Sequence, residues 1–165
     1  MNRLSVYTIL FCWIVSTWMG ISPATATELF LNPIRNTPAS GQENNTSFVE
    51  VPIKLDQAQN LAGIKLILTY AKNRLEFQKA SKTKATSSLM HIVNSKKPGR
   101  LIIVMAGAMG ISGTDITLLN IRFRVKQKND TDLNTSVKII SAELMDAKLK
   151  PVEVTIRATK SPPTP

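Results

Sequence analysis

The chain has 165 residues, 43% hydrophobic but only 5% aromatic, and a formal net charge of +10. That length is one domain's worth of core, and a single cysteine with a single histidine excludes an internal disulfide framework and a Cys/His metal cluster. The basic balance favours acidic partners, but it comes without a helix-turn-helix or RNA-binding signature, so nucleic acid is not expected.

Residues 1–26 read as an export leader: Arg3, an apolar stretch from Val6 to Ile21, then the small-residue site Ala24-Thr25-Ala26. Gly20, Pro23 and the A-x-A pattern favour cleavage after Ala26 over retention as a membrane anchor, and Phe11 before Cys12 speaks against lipidation. Cleavage removes Cys12, Trp13 and Trp18 and leaves 139 residues at a charge of +9, because Arg3 is the leader's one charged residue. The remaining aromatics are Phe30, Phe48, Tyr70, Phe77 and Phe123. The expected product is secreted, with no stable membrane insertion.

Residues 27–47 form a polar N-terminal segment, loop-like from Asn32 to Ser47. Strand patterning then begins: Val49, Val51, Ile53 and Leu55 alternate with Glu50, Pro52 and Lys54, and Pro52 predicts an edge or strand-end position. Ile64, Leu66, Leu68 and Tyr70 repeat the alternation, leaving Lys65, Ile67 and Thr69 outward. A turn at Lys72-Asn73-Arg74 leads into Leu75-Glu76-Phe77, and Ser81 to Ser88 reads as a polar, basic loop.

Met90 to Val93 fits a short strand closed by the turn Lys96-Lys97-Pro98-Gly99. Leu101 to Ala106 is apolar at both phases, as a central buried strand would be, and Gly107 to Gly113 reads as a loop or bulged strand. Leu119, Ile121, Phe123 and Val125 face inward, opposite Asn120, Arg122, Arg124 and Lys126. A polar hairpin at Gln127 to Thr135 precedes strands at Val137 to Leu144 and Val152 to Ile156, and residues 159–165 are a proline-rich tail. No helical periodicity stands out. The pattern predicts an all-β, two-sheet sandwich over residues 48–158.

Catalytic constellations are missing from this pattern. No Gly-x-Ser-x-Gly elbow or Ser-His-acid spacing occurs, and His91 reads as an ordinary strand histidine. The carboxylates, among them Asp130 and Asp132, stand singly at strand ends and turns, and no EF-hand loop is present. Gly107 to Gly113 lacks the Gly-Lys-Ser/Thr ending of a phosphate loop. The expectation is a non-enzyme with no cofactor and no metal. Sequons at Asn44, Asn45, Asn129 and Asn134 matter only in a eukaryotic secretory pathway.

Several stretches together resemble the cohesin modules of cellulosome scaffoldins and their relatives. These are Val51-Pro52-Ile53, Asn60-Leu61-Ala62-Gly63-Ile64, Leu75-Glu76-Phe77 and Gly99-Arg100-Leu101, followed by Ala106-Gly107-Ala108, Ile111-Ser112-Gly113 and Ala142 to Ala147. The resemblance implies a nine-stranded jelly roll that binds a calcium-loaded dockerin on one sheet face, within a superfamily shared with carbohydrate-binding modules. Positions that carry Asn and Asp toward the dockerin in cellulosomal cohesins match Gly63 and Lys65 here, and the usual Tyr-Asp-Pro has become Tyr70-Ala71-Lys72. A lysine in that place favours an acidic, noncanonical partner.

The leading expectation is a secreted adaptor serving extracellular polysaccharide-degrading proteins, with Lys65, Ile67 and Thr69 as its partner-binding residues. A carbohydrate-binding module, with a polysaccharide as partner, is the runner-up. Its weakness is the shortage of aromatic rings for a sugar platform. A cell-surface structural protein is a third reading.

Overall fold

A computed structural model describes residues 26–32, 35–37, 47–126, 133 and 136–157. The leader up to residue 25, most of the polar hairpin with Asp130 and Asp132, the four sequons and the proline-rich tail lie outside them. Strands are β1 (Thr27–Leu31), β2 (Arg35–Thr37), β3 (Phe48–Tyr70), β4 (Leu75–Lys82), β5 (Met90–Asn94), β6 (Arg100–Val125), β7 (Val137–Asp146), β8 (Pro151–Val152) and β9 (Val154–Arg157). The only helical element among the described residues is a 3-10 turn, Lys84–Thr86.

Two long strands organise everything else. β3 and β6 pair antiparallel along almost their whole length, and each contributes one half to each sheet. Residues 48–58 and 113–125 form the centre of a first sheet with β9 and β1 on one side and β4 on the other. Residues 61–70 and 100–111 form the centre of a second, flanked by β5 on one side and by β7 and β8 on the other. The two strands expected at 49–55 and 64–70 are thus one continuous strand.

The crossover between layers is written in the residues at the bend. The β3–β6 register slips between Ala58 and Leu61 and again before Gly63, and Asn60 adopts a left-handed φ of 54°, which Asn tolerates better than most residues. At Gly110 a Cβ would overlap the Asn60 carbonyl, so only glycine lets the two backbones pass. Gly113 (φ 148°) resumes the ladder opposite Ala58. The glycine stretch is therefore a bulged strand.

The halves close face to face over one core. Val49, Val51, Ile53 and Leu55 meet Ile64, Leu66, Leu68, Leu101, Ile103 and Met105, all fully or almost fully buried. Phe123 of the first sheet packs in a tilted contact on Tyr70 of the second, at 5.1 Å between ring centroids, and edge-to-face with Phe77 at 6.2 Å.

Three local expectations are corrected. The segment 27–47, expected as polar and loop-like from Asn32, carries β1 and β2, both paired with β3, and Leu29 and Leu31 of β1 are buried in the core, so strands of the sandwich precede residue 48. Pro52 lies in an interior strand, not at an edge: β2 pairs with residues 48–50 and β1 with 53–55, so Pro52 falls at the seam between them. Its carbonyl accepts the Asn32 N–H (3.0 Å), and because its ring nitrogen cannot return the reciprocal bond of that antiparallel pair, the β1 ladder ends there. The segment expected as a loop from Ser81 begins as strand, since β4 runs to Lys82. Beyond it the chain is pinned: Thr83 Oγ1 donates to the Thr117 carbonyl (2.5 Å), buried Thr86 Oγ1 to that of Leu118 (2.7 Å), and Lys82 Nζ to those of Ser87 and Leu89.

Candidate docking face

Alternation along the second sheet sends one set of side chains into the core and the other set out, and the register aligns the outward set into four rows. From β5 through β6 and β3 to β7, the first row is Met90, Ala106, Gly63 and Met145; the second is Ile92, Val104, Lys65 and Glu143. The third is Asn94, Ile102, Ile67 and Ser141, and the fourth is Arg100, Thr69 and Lys138. With neighbouring strands about 4.8 Å apart, the face is roughly 14 Å across and about 20 Å along the strands.

This surface is apolar without being covered. Met90 is 76% exposed, Ile92 71%, and Val104 and Met145 41% each. Ile140, bulged out of β7 where its register with β3 shifts, is 57% exposed. A large aliphatic side chain left in water forgoes about 1.5–3 kcal/mol relative to burial, and contiguous exposure of this kind marks an interaction surface.

Charge on the face is uneven. In its middle, Lys65 Nζ bonds Glu143 Oε1 at 2.8 Å, so the central lysine is neutralised by its neighbour. At one end Arg100 and Lys138 stand exposed, with no ion-pair partner among the described residues, beside Lys96 and Lys97 of the adjoining turn. The basic character therefore sits at the end of the face, where the lysine alone had suggested its centre.

The structure places Lys65, Ile67 and Thr69 together on this face, in its second, third and fourth rows. Ile67 lies beside Ile102 rather than alone among polar residues, and both are half-buried. Sequence reasoning missed Met90, Ile92, Ile102, Val104 and Met145. Their signal was present: Leu101 to Ala106 is apolar at both phases, which had been taken as burial on two sides. The strand is indeed interior to its sheet, but only Leu101, Ile103 and Met105 point into the core.

Other candidate residues have structural partners. His91 Nε2 lies 3.2 Å from the Ala80 carbonyl, bridging β5 to β4 of the other sheet. No group of three His, Cys, Asp or Glu side chains among the described residues is arranged to hold a metal. A cleft of about 800 Å³ at the bent end, lined by Gln57, Asn60, Thr114, Asp146, Lys150 and Val152 among others, contains neither histidine nor aromatic ring. The five aromatics among the described residues are committed elsewhere: Phe30 and Phe123 are buried, Tyr70 and Phe77 pack on Phe123, and Phe48 lies under the Arg122 guanidinium at 4.2 Å.

Sheet orders β9-β1-β3-β6-β4 and β5-β6-β3-β7-β8, sharing two bent strands, define a jelly-roll sandwich with one apolar outer face. A family model, the cohesin domain, matches residues 38–161, and the chain belongs to the cohesin family. No curated protein matches it. Among solved structures it is similar to a non-cellulosomal cohesin from the archaeon Archaeoglobus fulgidus, with 21% identity over 79% of this chain and 86% of that one, at a TM-score of 0.58. It is also similar to the sixth cohesin of scaffoldin B from Acetivibrio cellulolyticus, solved in complex with a dockerin, with 20% identity over 82% and 96% and a TM-score of 0.62. A cohesin from Clostridium thermocellum, likewise in a dockerin complex, shares 12% identity over 79% and 94% at a TM-score of 0.61.

Proposed function

We propose that this chain is a secreted, non-catalytic adaptor that docks a dockerin-type protein on the outer face of β5, β6, β3 and β7. The observation that carries the reading is the uncovered apolar surface of Met90, Ile92, Val104 and Met145, which no packing need of the sandwich accounts for. Similar folds from Acetivibrio cellulolyticus and Clostridium thermocellum were solved with dockerins bound, which supports a partner of that type. A face roughly 14 by 20 Å accepts one or two helices of about 10–12 Å diameter. Arg100 and Lys138, with no ion-pair partner among the described residues, favour a partner that brings carboxylates to that end and aliphatic side chains to the rest.

Export by the leader of residues 1–26 would bring the module to extracellular polysaccharide-degrading proteins. A sugar ligand is less favoured, because every aromatic ring among the described residues is packed against the core or beneath an arginine. Calorimetric titration of the chain from Thr27 onward with calcium-loaded dockerin modules tests the reading. Saturable binding that is lost in Val104→Asp supports it; no binding to any dockerin, or binding indifferent to that substitution, overturns it.

A further inference from the structure

The first row of the face is unlike the others. Its two middle positions are Ala106 and Gly63, which offer no atom beyond Cβ, while its outer positions are the exposed methionines Met90 and Met145. Val104 and Lys65 of the next row close one side. The result is a recess two strands wide, floored by backbone and walled by thioether side chains.

Its floor has little to offer a polar group. The backbone at Gly63 lies between paired neighbours, Ala106 on β6 and Met145 on β7, and the floor carries no polar side chain. A polar group seated there would give up water without gaining a partner, whereas an apolar one would be enclosed. Methionine walls add adaptability, since unbranched thioethers repack around occupants of different shape. Gly63 is itself required for the shape: a Cβ there would come within 3.2 Å of Met145 Cβ and press on that wall.

We propose that this recess receives one large aliphatic or aromatic side chain from the docking partner and is the main determinant of which partners this chain accepts. The inference rests on the docking reading above and specifies its anchor.

The test uses one calcium-loaded dockerin scaffold displayed as a library randomised at its helix-surface positions and selected on the chain from Thr27 onward. The expected result is enrichment of Leu, Ile, Met or Phe at one position. Ala106→Gln, which fills the recess from an exposed site, is expected to weaken the selected clones about tenfold or more, and Lys79→Ala on the opposite sheet less than about twofold. Met90→Ala, which lowers one wall at an exposed position, gives a second reading should Ala106→Gln fold poorly; it is expected to weaken the same clones about threefold or more. Clones with polar residues at every selected position, or clones that bind wild type, Ala106→Gln and Met90→Ala alike, overturn the recess while leaving the docking face standing. A library yielding no binder overturns both.

Discussion

The two outer faces of the sandwich are built from the same two strands, yet they differ in kind. On the first sheet, β3 and β6 turn Glu50, Lys54, Asn120, Arg122 and Arg124 outward, and the three cations are tied locally: Arg124 to Glu76 of β4, Lys54 to Asp115 at 2.9 Å, Arg122 over the Phe48 ring. On the second sheet the same strands turn out Ile67, Ile102, Val104 and Ala106. The comparison separates what the fold needs from what it does not. A jelly roll of this topology is satisfied by a polar outer face, as its first sheet demonstrates, so the apolar outer face of the second calls for a separate explanation.

Substitutions that disturb one region and spare the other sharpen the contrast. The largest effect is expected where the sheets meet: Phe123→Ala, at the fully buried centre of the aromatic cluster, should cost about 3–5 kcal/mol in denaturant unfolding. A loss below about 1 kcal/mol would contradict the packing described. Val104→Asp should weaken docking by about 2 kcal/mol or more while leaving stability within about 0.5 kcal/mol of wild type. Arg124→Ala should behave oppositely, removing its pairing with Glu76 and leaving docking unchanged; equal effects of the two on binding would erase the distinction between faces.

Smaller effects are expected at the positions read directly from sequence. Ile67→Ala, half-buried beside Ile102, should reduce affinity by about 1 kcal/mol. Lys65→Glu sets a second carboxylate beside Glu143 and should slow association with an acidic partner and alter its salt dependence. Reversing Arg100 and Lys138 together should do so more strongly, because those charges have no ion-pair partner among the described residues. The smallest signal is a null one: pull-down on insoluble cellulose and chitin should show weak retention or none, and salt-insensitive micromolar retention would favour a sugar-binding role.

The all-β sandwich was legible because its core strands alternate cleanly; Leu119, Ile121 and Phe123 point inward as their phase requires. What sequence patterning could not convey was continuity. The bend at Asn60 and Gly110 looks like a chain break when read locally, since polar and glycine residues mark turns and crossings alike, and only the register reveals one strand passing between layers. Pro52 misled for a related reason: its missing donor coincides with a seam between two short partners, which no local pattern encodes.

The candidate docking face was half legible. Lys65, Ile67 and Thr69 followed from the phase of a single strand. The rest of the face needed cross-strand register, because Met90 and Ile92 join Val104 only through the pairing of β5 with β6. The Lys65–Glu143 pair likewise joins residues 78 positions apart, so the neutralisation of that lysine was invisible in the linear sequence.

The most direct test of the central claim is a footprint. Backbone amide chemical-shift mapping of the chain from Thr27 onward, titrated with a bound dockerin module, should perturb residues 63–69, 90–94, 102–106 and 138–145. Residues 48–55 and 119–125 of the opposite sheet should stay unchanged. Perturbations centred on that opposite sheet, with the second sheet silent, would contradict the account.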